Sequence, residues 1–283
     1  MNPSEPTADW FANLMRFLKA RFDFIALDEA VRRARDGKLD GRSLSVTFDD
    51  GYADNYTIAL PILKRLEIPA TFFVASGYLN GGRMWNDSIT ESFRRLEPGI
   101  HDIDIPGTPQ IEITDGASRY SAARNTIAAW KHLPPAERQA KVDQLTNRLS
   151  GMPADLMMTS EQLRDMAQTR GVAIGGHTRM HPILSCMERQ QAREEIEGGK
   201  ADLETIVDKR VNLFAYPNGK WEQDYQAEHA EIVQTAGFDA AVATDWGALS
   251  SQDDLFRIPR FTPWHTNRSR FVLDLARCHH GLL

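Results

Sequence analysis

The run Ala70-Thr71-Phe72-Phe73-Val74-Ala75 constrains this chain more than any other stretch. Its side chains leave almost no polar face, so a strand built from it must be covered on both sides. That is the condition of a central strand in a parallel sheet clothed by helices. Residues 22–27, 43–48, 172–174, 213–216 and 240–243 are further short β-rich runs. Between them lie segments of helical period. Trp10, Leu14, Phe17 and Leu18 share one face, with Arg16, Lys19 and Arg21 on the other. Asp28 can cap a helix that stops at Gly37, and helices are expected over 55–66, 188–207, 222–235 and 269–278. Strand and helix in alternation predict an α/β architecture, a parallel sheet or barrel with helices outside.

Residues 88–170 break this alternation. Pro98, Pro106 and Pro109 with Gly99 and Gly107 mark loops, and only 120–131 and 135–149 carry a clear pattern, both helical. The expectation is a mainly helical insertion between two barrel strands, inside a single domain covering residues 1–283, because the stretch has no sheet pattern of its own.

Charge and composition exclude several classes. With 33 Lys+Arg against 39 Asp+Glu the net charge is −6, which offers no electrostatic footprint for nucleic acid. Cys186 and Cys278 are too few for a disulfide framework. The opening Met1-Asn2-Pro3-Ser4-Glu5-Pro6 has neither a basic segment nor an apolar one, unlike a secretory leader, and no apolar stretch is long enough to span a bilayer. A cytoplasmic protein with no transmembrane segment is expected. Nothing in the sequence fixes its oligomeric state.

Three polar clusters follow predicted strands, at the carboxyl ends where α/β folds build ligand sites. The first is Thr47-Phe48-Asp49-Asp50-Gly51-Tyr52. Adjacent carboxylates point to different sides, so one can bind a cation while the other stays free as a base. Taken alone, Asp-Asp-Gly serves equally well as a turn that caps the helix near Asn55. The second is Gly175-Gly176-His177-Thr178-Arg179-Met180-His181-Pro182. Histidines four apart can face the same way over one helical turn and share a transition metal, or simply flank a loop. Two imidazoles and one carboxylate would leave positions open for water and substrate. The third is Phe214-Ala215-Tyr216-Pro217-Asn218-Gly219, a tight turn able to aim a backbone N–H as an oxyanion donor. Trp85 with Asp87, and Asp245 with Trp246, are either sugar-stacking platforms or packing.

The motifs T-F-D-D-G-Y at Thr47 to Tyr52, H-T-x-x-H at His177 to His181 and A-Y-P-x-G at Ala215 to Gly219 resemble, in order and surroundings, those of the polysaccharide deacetylases, carbohydrate esterase family 4. The resemblance extends over about 43–261. It implies a distorted (β/α) barrel of the seven-stranded type, a divalent metal, usually Zn2+, and hydrolysis of N-acetyl groups on an amino sugar or glycan. It implies Asp50, His177 and His181 as metal ligands, Asp49 as general base and the Asn218 N–H as oxyanion donor. Tyr52, Thr178, Pro217 and Trp85 are the candidates for substrate binding.

The chain departs from the family pattern in three places. The arginine that usually stands two residues before the proline of the third motif, and pairs with the base, is Ala215 here. Arg260 is the candidate replacement. The late Leu-x-His motif, source of the general acid, has no clear counterpart, and His265 is the nearest candidate. The early strand with a Tyr-His pair is missing, so the barrel is open or completed differently. Two other readings keep the same site: hydrolysis of a small non-sugar amide, and carbohydrate binding without catalysis.

Overall fold

Phe72 and Phe73 are both fully buried, because the strand carrying them has neighbours along both edges and over both faces. The structure, a computed structural model, describes residues 6–103, 110–263 and 266–282. In chain order it contains α1 (Ala8–Lys19), β1 (Asp23–Phe24), α2 (Leu27–Arg35), β2 (Ser43–Leu44), β3 (Val46–Phe48), α3 (Leu60–Leu66) and β4 (Ala70–Val74). The insertion follows, with α4 (Trp85–Arg95), β5 (Gly99–His101), β6 (Ile111–Ile113), α5 (Gly116–Trp130), α6 (Pro135–Thr146) and α7 (Ser160–Ala167). The chain then returns to the sheet through β7 (Val172–Gly176), α8 (Arg189–Val207), β8 (Leu213–Ala215), α9 (Ala227–Thr235), β9 (Ala240–Val242) and α10 (Arg268–His279).

Strands β3-β4-β7-β8-β9 form one parallel sheet in that order, and β1 pairs with β2 in parallel. Only Ser45 separates β2 from β3, so residues 43–48 act as one strand that meets β1 first and β4 second. A parallel bridge from Val242 to Ile258 adds a position beyond β9. The result is a curled parallel half-barrel, a distorted (β/α) barrel.

Side chains along each strand alternate between two cores, as the period of 2 requires. Phe72, Phe214 and Ala241 face the cluster that holds α1, α3 and α8 residues such as Leu14, Leu63 and Ile196. Phe73, Leu213, Ala215, Ala240 and Val242 face the other side, where Leu27, Ala30 and Val31 of α2 pack against them with Ile258. Helix α2 therefore covers the inner face, and Arg35 fastens it by donating from Nη2 to the Asp239 carbonyl at 2.6 Å. This burial also moves the helix start. Leu27 is already helical, Ala26 stands at the N-cap, and Asp28 caps only the adjoining Glu29 N–H, at 2.8 Å.

The insertion has its own apolar cluster, including Trp85, Ile89, Phe93, Trp130, Val142 and Leu145. It also contains an antiparallel β5–β6 pair that the sequence pattern did not predict. Strands of three residues, one with an exposed Ile100, are too short to display a period of two. Helix α9 likewise begins at Ala227 and not at Glu222. Residues 221–225 instead form a bridged turn around Asp224, which is fully buried and accepts the Lys220 N–H at 3.0 Å. Among the described residues no helix is long and apolar enough to cross a membrane.

Candidate metal and catalytic site

The chain turns sharply where β3 ends. Asp50 has φ 80° and Gly51 has φ 92°. A Cβ at Gly51 would lie 2.8 Å from Val74 Cγ1, so only glycine lets this turn sit so close to β4. The Ala75 N–H donates to the Asp50 carbonyl at 3.2 Å, and the Met158 N–H to the Gly51 carbonyl at 3.0 Å. Neither carboxylate caps a helix, so the turn-and-cap reading of Asp-Asp-Gly does not hold. The two acids diverge: Asp50 faces two histidines and Asp49 faces an arginine.

His177 and His181 follow β7. They do not share a helical face, because Thr178 (φ 64°) and His181 (φ 47°) are both left-handed. The Thr178 hydroxyl donates to the His177 carbonyl and accepts the His181 N–H at 3.1 Å. Glu195 on α8 accepts the N–H groups of Arg179 and Met180 at 2.9 and 2.7 Å. This turn brings the imidazoles together as a helical turn would, with ring centroids 4.8 Å apart. Pro182 keeps the preceding residue out of helical conformation, which is why a turn is found. It can lie against α8 because Gly199 has no side chain; a Cβ there would meet the Thr178 carbonyl carbon and oxygen at 2.7 Å.

Asp50 Oδ1 lies 3.3 Å from His177 Nε2 and 3.2 Å from His181 Nε2. One ligand atom from each of the three residues falls within 4.8 Å of the others. A tetrahedral ion with bonds of about 2.1 Å holds its ligands roughly 3.4 Å apart, so the spacing suits one. His177 is 1% exposed, and its Nδ1 donates to the Ala215 carbonyl at 2.7 Å, which turns Nε2 toward Asp50. Burial opposes ionisation of Asp50, yet hydrogen bonds from His177 and His181 hold its carboxyl well below the usual range. Burial also disfavours charged His177, but the Asp50 hydrogen bond and the charges of Asp49 and Asp50 raise its pKa overall. A cluster so eager for positive charge is suited to a cation.

Arg260 donates from Nη1 to Asp49 Oδ1 at 2.8 Å and from Nη2 to Asp49 Oδ2 at 2.7 Å. The guanidinium is itself held by the Ala243 carbonyl at 2.7 Å from Nε, and by Thr47 Oγ1 at 3.1 Å from Nη1. Burial would raise the Asp49 pKa, but the charge and hydrogen bonds of Arg260 outweigh it, and the carboxyl stays below its ordinary value. Thr47 opens the first motif, but the sequence assigns it no role of its own.

The third motif follows β8, whose Ala215 carbonyl already holds His177. Asn218 has φ 60° and Gly219 φ 69°, and the Gly219 N–H folds back to the Pro217 carbonyl at 2.7 Å. The Thr244 hydroxyl donates to the Asn218 carbonyl. The Asn218 N–H donates to no acceptor among the described residues.

Two candidates for substrate binding are corrected. Thr178 is fully buried and spends its hydroxyl on the histidine turn, so it positions the imidazoles and faces no substrate. Trp85 is 5% exposed, and the Arg138 guanidinium lies 4.6 Å over its ring, so no face is open to a sugar. Its neighbour Asp87 instead reaches the site, accepting the Tyr52 hydroxyl at 3.1 and 3.0 Å. Pro217 is buried beneath its turn. Trp246 donates to Thr262 Oγ1 at 3.0 Å and packs on Phe261, and Asp245 accepts the Trp221 N–H at 3.1 Å. His265 lies outside the described residues.

Known proteins share this fold. Over its whole fold the chain is similar to the Streptococcus pyogenes deacetylase PplD in complex with acetate, with a TM-score of 0.62, 19% identity and coverage of 99% of this chain and 89% of that one. IcaB from Ammonifex degensii gives a TM-score of 0.61 at 19% identity, covering 96% and 89%. In sequence, YxkH of Bacillus subtilis (strain 168) is 22% identical over 226 residues, 80% of this chain and 53% of that protein. The poly-beta-1,6-N-acetyl-D-glucosamine N-deacetylase of Staphylococcus epidermidis (strain ATCC 35984) is 32% identical over 77 residues, 27% of each chain. The chain thus spans about half the length, or less, of these curated relatives. The sequence model of the polysaccharide deacetylase family matches residues 36–241. The chain belongs to the polysaccharide deacetylase family.

Proposed function

We propose that this protein removes the acetyl group from an N-acetylated amino sugar, within a glycan, by metal-assisted hydrolysis. The observation that carries the reading is the division of labour between adjacent acids. Asp50 joins His177 and His181, while Asp49, held ionised by Arg260, is left free of that cluster. Asp50, His177 and His181 would hold the ion, and two imidazoles with one carboxylate suit Zn2+. When bound, it would polarise the acetyl carbonyl and lower the pKa of a water molecule.

Asp49 takes the proton from the attacking water, and Arg260 fixes the carboxylate plane for that transfer. The Asn218 N–H donates to the developing oxyanion, a contribution of about 10²–10³ in kcat for a single donor. The departing amine needs a proton, which Asp49 is placed to return. The polymer of N-acetylglucosamine named for the Staphylococcus epidermidis relative supports a glycan substrate.

Acetate release from N-acetylglucosamine oligosaccharides by the zinc-reconstituted protein tests the reading. Turnover that disappears in Asp49→Asn while zinc stays bound is the expected result. No acetate from any N-acetylated sugar would overturn it, and ligand binding that is indifferent to Asp49→Asn would favour a binding protein.

A further inference from the structure

Four carboxylate or guanidinium side chains are buried among the described residues: Glu91, Arg138, Asp224 and Asp274. Three have partners of opposite charge. Glu91 pairs with Arg94 and Arg95, Asp224 with Lys131 at 3.1 Å, and Asp274 with Arg270 at 3.5 Å and Arg277 at 3.6 Å. Arg138, 4% exposed, pairs with no carboxylate among the described residues. Burying a charge without a counterion is costly, and proteins retain such groups where something else supplies the opposite charge.

The surroundings of Arg138 point to where that charge comes from. Nη1 donates to the Lys131 carbonyl at 3.0 Å, and the guanidinium plane is supported by the Trp85 ring. Among the described residues Nε and Nη2 donate to no acceptor, and the side chain keeps a trace of exposure. Burial lowers the Arg138 pKa, and the ionisable groups acting on it are Tyr78 and Cys186. The Tyr78 hydroxyl donates at 3.0 Å to the carbonyl of Met180, the residue before His181. Trp85 starts the helix whose Asp87 grips Tyr52 of the first motif. Arg138 thus stands in the wall that the insertion builds beside the histidine turn, fixed in plane with one edge unused.

We propose that Arg138 is an anion-recognition subsite, which binds a carboxylate or phosphate group carried by the amino-sugar substrate. A planar fork with two free donors matches either group, and the substrate's charge completes the pairing that the protein leaves open. The nearby basic side chains do not compete for this role, since Lys131 and His132 both face Asp224, at 3.1 and 3.2 Å. The assignment rests on the deacetylation proposed above only in taking the anion to be part of the substrate.

The test uses the full chain with zinc and three oligosaccharides of equal length. One is neutral N-acetylglucosamine, one alternates N-acetylglucosamine with glucuronate, and one carries phosphate on the N-acetylglucosamine units. The expected result is a kcat/KM at least about 10-fold higher for one anionic substrate than for the neutral one, with the favoured anion naming the source. Arg138→Lys keeps the charge and loses the fork, and should cut that ratio about 10-fold. A wild-type ratio near one, or a ratio unchanged in Arg138→Lys, overturns the proposal. Tryptophan fluorescence titrated with glucuronate and with inorganic phosphate provides a readout independent of turnover, compared between wild type and Arg138→Gln. An Arg138-dependent response without acetate release would sink the deacetylation reading and leave the subsite standing. Acetate release without charge preference would do the reverse.

Discussion

Arg260 grips both oxygens of Asp49 through parallel hydrogen bonds of 2.8 and 2.7 Å, across 211 residues of sequence. Both side chains are mostly buried, so the bonds act in a low-dielectric setting that screens them little. The same guanidinium touches Thr47, on the strand that delivers Asp49, and so fixes the acid to its own scaffold.

Removing that grip should cost rate more than binding. Arg260→Ala is expected to lower kcat about 10- to 100-fold with KM nearly unchanged and zinc content intact, the usual size of an orienting contact beside a metal. Adding Ala215→Arg in that background should restore part of the loss, and no recovery would show that an arginine from the third motif does not reach Asp49. Ala215→Arg by itself should destabilise the protein, because Ala215 is fully buried against Val31 and Ile258. Steady-state kinetics and thermal melts of the three variants check this.

Asp49→Asn should reduce kcat by about 10²–10⁴, the range for a lost general base. Elemental analysis should find the same zinc content as in wild type, since Asp49 is not among the three clustered ligand atoms. Loss of metal together with activity would show that the two acids do not divide their roles as argued.

Gly199→Ala offers a steric test away from the chemistry. In an ordinary helix this change gains about 0.5–1 kcal/mol. Here the new Cβ would sit 2.7 Å from the Thr178 carbonyl carbon, so the histidine turn must move. Zinc affinity, measured by competition with a chelator, should fall about 10- to 100-fold, and the variant should be less stable than wild type.

Asp87 gives a pH signature. Burial, together with the charges of Asp50 and Glu91, lifts its pKa to about 6 despite the Tyr52 hydrogen bonds. Because the folded value lies above the unfolded one, the stability it contributes is complete below about pH 4 and is lost as pH rises through about 6. Asp87→Asn has no proton to lose, so its stability relative to wild type should increase between pH 4 and 7. Urea melts of the chelated proteins across that range would show it, and parallel curves would refute it.

Much of the fold could be read along the chain. Phe72 and Phe73 side by side call for a strand covered on both faces, and the structure encloses β4 in that way. Asp49 with Asp50, and His177 with His181, are legible for a related reason: each pair is only a few residues long, so local geometry alone brings its members near one another. The β5–β6 pair and the start of α9 escaped notice because three-residue strands and a bridged turn have no period to detect.

Which charges meet was decided elsewhere. Arg260 reaches Asp49 only because the Val242–Ile258 bridge carries its segment along the inner end of the sheet. Trp85, plausible as a sugar platform in sequence, lost that role when α6 laid Arg138 over its ring. Arg138 itself has no motif. Its interest arises from burial without a counterion among the described residues, a property set by what distant segments place around it. Hydrophobic period reports how one segment meets water, and short motifs report chemistry held within a single turn. The cost of a buried charge, and the partner that offsets it, depend on groups far apart in the chain, so only the folded arrangement could decide them.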